Sequence, residues 1–208
     1  MIAMGIDPSM NSTGICIDED GKRTYYLLST KATKKAIKAA DEIDQLCILQ
    51  IPKEESLKEE KSIHKSILQQ INLTKNISYI TDAILDIIRH HKPDYVVIES
   101  PAFRAIGRVS DLSGLNHAIR LECLREEIPC YPVPPTTVKA QTTGRGWASK
   151  DEMILTWKSI ESSAADWEEK GIKVSDLADA WALCSFDLKS VDIEPAPNPP
   201  SIAPCEQT

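Results

Sequence analysis

Four carboxylates occupy positions where an unpaired acid is costly or a paired one is useful. Glu99 closes the run Tyr95–Glu99 (YVVIE), apolar and β-branched, set off by Lys92-Pro93-Asp94 in front and Ser100-Pro101 behind. Such a run between turn signals reads as a central strand buried on both faces. A glutamate at its end needs a partner, because an isolated buried carboxylate is expensive. Asp7 ends the apolar run 2–6 in the same way, within GIDPSMNSTG. Asp176 and Asp179, in SDLADAWALC, lie three residues apart and so share one face of a helix near its positive end. Taken singly, Asp7 is an ordinary turn aspartate and the DxxD pair an ordinary helix start. Together they make an oxygen-only donor set. Hard cations take such ligands, and the lack of an accompanying Cys/His set points to Mg²⁺ or Mn²⁺ rather than zinc. Two such ions can activate an attacking water and stabilise the leaving oxygen of a phosphodiester.

Basic residues stand beside these acids. Arg104 and Arg108 follow Glu99, and Lys139, Arg145 and Lys150 surround Gly144 and Gly146 with Trp147 interleaved. An isolated loop lysine is usually a solvated charge. Placement next to the acidic segments favours a rim that contacts phosphates.

Several elements must position these groups. Residues 2–6 and 12–18 form a hairpin around PSMNS, and Arg23 to Ser29 adds a third antiparallel strand after Asp20-Gly21. Residues 31–62 are rich in lysine and glutamate, with one strand-like patch from Leu46 to Ile51, and read as a charged, solvated insertion. Apolar residues at 63, 67, 71, 77, 80, 84 and 88 predict a long amphipathic helix ending near His91. A helix from about Ser110 to Glu127 buries Leu112, Leu115, Ile119 and Cys123; Cys130–Val133 is a short strand that its proline directs to an edge or a strand end. The Thr- and Gly-rich basic segment 136–150 leads into a helix from Lys150 to Ser162. The last helix runs from Asp176 to Asp187 with Ser175 as its N-cap. The order predicts an α/β protein: a mixed sheet of three antiparallel strands, then parallel strands, flanked by helices. One domain over 1–190 and a disordered proline-rich tail over 191–208 complete the expected organisation.

Composition sets the outer bounds. The chain has 208 residues, 42% hydrophobic and 26% charged, enough for a real core. No apolar run approaches the roughly 18 residues of a membrane span, and MIAMGID enters a strand directly, so a cytoplasmic protein is expected. The six cysteines have no CxxC spacing and read as small core residues; the four histidines form no cluster. A net charge of −7 argues against a protein that coats nucleic acid, though not against a nuclease with a local basic patch.

In order along residues 2–187, these segments resemble the RuvC Holliday-junction resolvases of the RNase H-like superfamily. GIDPSMNSTG is similar to the family's GIDPG-x-x-x-TG opening, with Ser9 in place of a glycine. KPDYVVIE is similar to its second acidic strand, IPCYPVPPTTVKAQTTGRG-x-x-x-K to its two-lysine segment, and SDLADAWALC to its closing DAADALA-type helix. The resemblance implies an RNase H-like sheet in which Asp7, Glu99, Asp176 and Asp179 hold two Mg²⁺ ions, Mn²⁺ substituting. It further implies that Lys150 and Lys139 meet the DNA backbone near the cut. The family's aromatic at the junction centre closely follows its catalytic glutamate; here Phe103 lies four residues after Glu99. The implied protein is a homodimeric endodeoxyribonuclease that resolves four-way DNA junctions by paired symmetric nicks, leaving 5′-phosphate and 3′-hydroxyl ends; the helix from about Ser110 to Glu127 is a candidate for the dimer face. Two alternatives stand beside it: a nuclease acting broadly on branched or flap DNA, and a non-catalytic module that binds junctions.

Overall fold

Strands β1 (Ile2–Asp7), β2 (Ser12–Glu19) and β3 (Lys22–Ser29) form the expected antiparallel meander. Asp20 and Gly21, with φ of 52° and 92°, make the two-residue turn between the last two. Positive φ at both central positions matches the twist of the flanking strands, which is why Asp-Gly serves there. The computed structural model describes residues 1–52, 62–101 and 109–190.

Part of the charged stretch 31–62 is regular. Thr33 caps helix α1 (Lys34–Ala40) by accepting the Ala36 N–H at 3.1 Å, and Ala36 and Ala40 are buried. Strand β4 (Leu46–Gln50), the apolar patch in that stretch, pairs in parallel with β3. Strands β5 (Tyr95–Glu99) and β6 (Cys130–Val133) extend the other side, β5 parallel to β1 and β6 parallel to β5. The sheet order is β4-β3-β2-β1-β5-β6. β5 is interior, as its apolar run requires, and β6 is the edge its proline tolerates. The mixed sheet with flanking helices is the RNase H-like architecture expected.

Helices α2 (Ser62–His91) and α3 (Val109–Arg125) cover one face. Ile80, Ile84, Ile87 and Ile88 of α2 and Leu115, Ile119 and Cys123 of α3 pack on Met4, Ile6, Ile15, Ile17 and Ile98. Ile67 and Ile71, on the predicted apolar stripe of α2, are exposed. Thirty helical residues span about 45 Å, whereas strands of four to eight residues span about 13–27 Å, so the helix outruns the sheet beneath it.

The opposite face carries α4 (Pro135–Thr143), α5 (Lys150–Ile160) and α6 (Val174–Cys184). The segment 136–150 is therefore largely helical. Pro135 suits a first helical position, where its missing N–H costs nothing, and Gly144, at φ 79°, ends the helix in the left-handed region. Tyr25, Trp157 and Trp167 pack edge to face with ring centres 5.6–5.7 Å apart, and the Trp157 indole N–H donates to the Tyr25 hydroxyl at 3.1 Å. This cluster fixes α5 over β3. Helix α6 starts two residues earlier than expected: Lys173, not Ser175, is the cap residue, and Ser175 lies inside the helix. Its hydroxyl turns to Asp176 instead, donating to Oδ1 at 3.0 Å. Among the described residues, no helix is long and apolar enough to cross a membrane.

Candidate active site

Side chains alternate across a strand, so Ala3, Gly5 and Asp7 share one face of β1, and Val97 and Glu99 the corresponding face of β5. Ala3, Cys16 and Val97 pack in the core under α6, which places Asp7 and Glu99 at the ends of those same rows. The parallel register pairs Gly5 with Val97 and Ile6 with Ile98, bringing the two acids to adjacent strand ends. Thr13 braces the turn after Asp7: its hydroxyl donates to the Ser9 carbonyl at 2.8 Å and accepts the Ser9 N–H at 3.0 Å.

Two glycines bring in the other pair. A Cβ on Gly5 would stand 2.2 Å from the Ala180 carbonyl oxygen, and one on Gly14 would stand 2.0 Å from the Asp176 carbonyl oxygen. The backbone of α6 thus rests directly on β1 and β2. Gly14 is the register partner of Asp7, so this contact sets Asp176 beside the Asp7 strand end.

The acids act on one another. Burial pushes the Asp7 carboxyl well above the usual range; Glu99, Asp179 and Asp176 push it further and Lys150 opposes them. Burial, and then Asp179, raise Glu99 to about 7 against the pull of Lys139 and Lys150. Asp179 is raised by burial, against Lys150, with Asp176 adding to the rise. Charges influence one another this way only at short range or through poorly screened protein. Asp7, Glu99, Asp176, Asp179, Lys139 and Lys150 are thus near enough to influence one another electrostatically.

Asp176 is 4% exposed. Its Oδ2 has Lys173 Nζ at 2.7 Å but no aligned hydrogen bond, leaving a buried carboxylate oxygen open to a further positive ligand. The donors are all oxygens and the charge is in excess, which suits a hard cation. Among the described residues, however, no three His, Cys, Asp or Glu side chains converge in a ligating cluster. The fit rests on donor chemistry and charge rather than on a preformed coordination shell.

Lys150 is the first residue of α5, held there by a capping box in which Ser149 Oγ accepts the Glu152 N–H at 3.2 Å and Glu152 Oε2 accepts the Ser149 N–H at 2.8 Å. Lys139 lies on α4. Arg145 is ion-paired with Glu152, so its guanidinium is partly committed within the protein. Phe103, Arg104 and Arg108 lie outside the described residues. Two polar residues escaped the sequence reading. Lys173 pairs with Asp176, and its three-residue spacing on a helix was a usable signal. Asn116, fully buried on α3, donates from Nδ2 to the Glu99 carbonyl at 2.8 Å. A lone asparagine in a helical pattern carries no local sign of that role.

No family model matches the chain. A curated relative, the crossover junction endodeoxyribonuclease RuvC of Salinibacter ruber, is 26% identical over 184 residues, covering 88% of this chain and 82% of that protein. The fold is similar to that of Thermus thermophilus RuvC, with a TM-score of 0.52 and 19% identity over 88% of this chain and 91% of that one. The same protein in complex with a Holliday junction substrate matches at TM-score 0.52 and 20% identity, over 88% and 90%. The resemblance read from the motifs is borne out in both sequence and fold.

Proposed function

We propose that this chain, RuvC-like in sequence and in fold, is a structure-selective endodeoxyribonuclease that resolves four-way DNA junctions. Fold alone does not assign a reaction. What supports the proposal most is that Asp7 and Glu99 end adjacent parallel strands, while the α6 backbone at Asp176 rests on Gly14, the register partner of Asp7.

Asp7, Glu99, Asp176 and Asp179 would hold two Mg²⁺ ions, with Mn²⁺ as a substitute. Bound there, the ions would supply activation of water and neutralisation of the leaving oxygen in phosphodiester hydrolysis. Lys150, exposed at the start of α5, neutralises charge that develops on the scissile phosphate. Lys139 holds the strand being cut. Burial and neighbouring acids raise the carboxyls of Glu99 and Asp7, so a bound cation would compete with protons for them. The products carry 5′-phosphate and 3′-hydroxyl ends.

Two symmetric nicks require two sites, hence a homodimer. Helix α3 supports this reading: it turns Leu121 and Leu124 to solvent, and both are large, apolar and exposed.

The test is nicking of a synthetic four-way junction and a matched linear duplex, with Mg²⁺ or EDTA, by wild type and Glu99→Gln. Paired nicks in the junction by wild type with Mg²⁺ only support the proposal. Equal cutting of the duplex would keep the chemistry and replace the substrate. Junction binding without cutting would leave a binding module.

A further inference from the structure

Trp147 stands apart from every other tryptophan in the chain. It is 81% exposed, whereas Trp157, Trp167 and Trp181 are 0%, 1% and 5% exposed. Water-exposed indole is unfavourable surface, and a flexible loop would fold it down. This loop does not give way. The Ala148 N–H donates to the Arg145 carbonyl at 3.2 Å, and Ala148 itself is buried. Gly146 sits so close to α4 that a Cβ there would be 3.1 Å from the Thr136 carbonyl oxygen. Thr143 Oγ1 accepts the Arg145 N–H at 3.3 Å, the Arg145–Glu152 ion pair crosses the turn, and the Ser149–Glu152 capping box closes it. Pinned on both sides, the indole is held outward.

Its position is as informative as its exposure. Three peptide links separate Trp147 from Lys150, so their Cα atoms lie within about 11 Å. Lys150, exposed at the start of α5, lies near Asp7, Glu99 and Asp179. Stacked nucleotides advance about 3.4 Å per step along a strand, so the two Cα atoms span at most about three such steps. A flat apolar ring among cations matches a ligand that alternates phosphates with flat apolar bases.

We propose that Trp147 stacks on an unstacked base close to the scissile phosphate and so helps select branched over linear DNA. The inference rests on the nuclease reading above. In an intact duplex both faces of each base are covered by its neighbours; at a branch point a face is free. Stacking tolerates any base, so Trp147 contributes structure selectivity rather than sequence preference.

The experiment uses the full chain as wild type, Trp147→Ala and Trp147→Phe, with a four-way junction and a linear duplex of matched sequence. Binding is followed by fluorescence, since Trp147 is the solvent-exposed tryptophan, and nicking is followed with Mg²⁺. Trp147 is exposed, so both variants should melt as wild type does. Junction DNA should quench the Trp147 emission. Trp147→Ala should lose about 5- to 150-fold in junction affinity and in the junction-to-duplex cleavage ratio. Its duplex binding should change little, and Trp147→Phe should recover most of the loss. Trp147→Ala matching a wild type that cuts junctions would overturn this inference alone, as would equal losses on junction and duplex. A wild type that neither binds nor cuts any of these DNAs would overturn the nuclease reading and this inference with it.

Discussion

On the α2–α3 side of the sheet, β1 presents Met4 and Ile6 to Ile15, Ile17 and Ile98, and the helices answer with more isoleucine. On the α6 side the same strand presents Ala3, Gly5 and Asp7 beside Gly14, Cys16, Val97 and Glu99. One residue's shift along the strand separates the two chemistries. Bulky side chains keep α2 and α3 at side-chain distance, which yields stability and leaves Asn116 of α3 to reach the end of β5 through its side chain. Glycines let the α6 backbone rest on the strands, and that closeness carries Asp176 to the acids that end β1 and β5. A face that holds a chemical site has given up apolar volume in order to bring backbone to backbone.

Adjacent residues of β5 offer the strongest test of this contrast. Glu99→Gln should lower the Mg²⁺-dependent nicking rate by about 10²- to 10⁴-fold, the loss expected when several kcal/mol of charge stabilisation disappears, with the melting temperature held or raised. Ile98→Ala should do the reverse, costing about 2–5 kcal/mol of stability while the folded fraction cuts normally. Nicking rates and denaturant melts on both variants check this. Loss of nicking in folded Ile98→Ala would break the division between faces.

A smaller effect should follow Gly14→Ala. The added Cβ collides with the Asp176 carbonyl, and overpacking of this kind costs about 1–3 kcal/mol. Because the strain displaces α6 itself, the Mg²⁺-induced rise in melting temperature should shrink as well. Ile15→Val, on the opposite face, should cost about 0.5–1.5 kcal/mol and leave the Mg²⁺ response intact.

The mildest effect is a tilt in stability with pH. Burial, and then Asp179, raise Glu99 to about 7 from an ordinary 4.5, so its native carboxyl holds its proton longer than the unfolded one. Stability from this source is fully present below about pH 4.5 and is lost as pH rises through about 7. Metal-free protein should therefore melt lower at pH 8 than at pH 5, by a few degrees in a chain of this size. Glu99→Gln should reduce the slope, Asp7 and Asp179 keeping the rest, and Mg²⁺ should raise the melting temperature more at pH 8 than at pH 5. Melting curves at the two pH values, with and without Mg²⁺, decide it. A slope that persists unchanged in Glu99→Gln would assign the titration elsewhere.

The sequence by itself determined the strands, the faces and the acids. The apolar runs 2–6 and 12–18, the Asp20-Gly21 turn and the doubly buried run 95–99 are local patterns, and each became the element it specifies. Asp7, Glu99, Asp176 and Asp179 could be picked out because an acid closing an apolar run is anomalous wherever it occurs. Tertiary structure decided what local pattern does not encode. Leu46–Gln50 is ordered as β4 by pairing with β3, although its flanks read as solvated charge. The cap of α6 falls at Lys173, while the Ser175 hydroxyl goes to Asp176. Gly5 and Gly14 look like turn or strand glycines until a helix some 170 residues later lies across them. Asn116 shows its use only when α3 passes over the Glu99 carbonyl. A pattern can state which side of an element is buried. What buries it, and how closely, depends on segments far away in the chain.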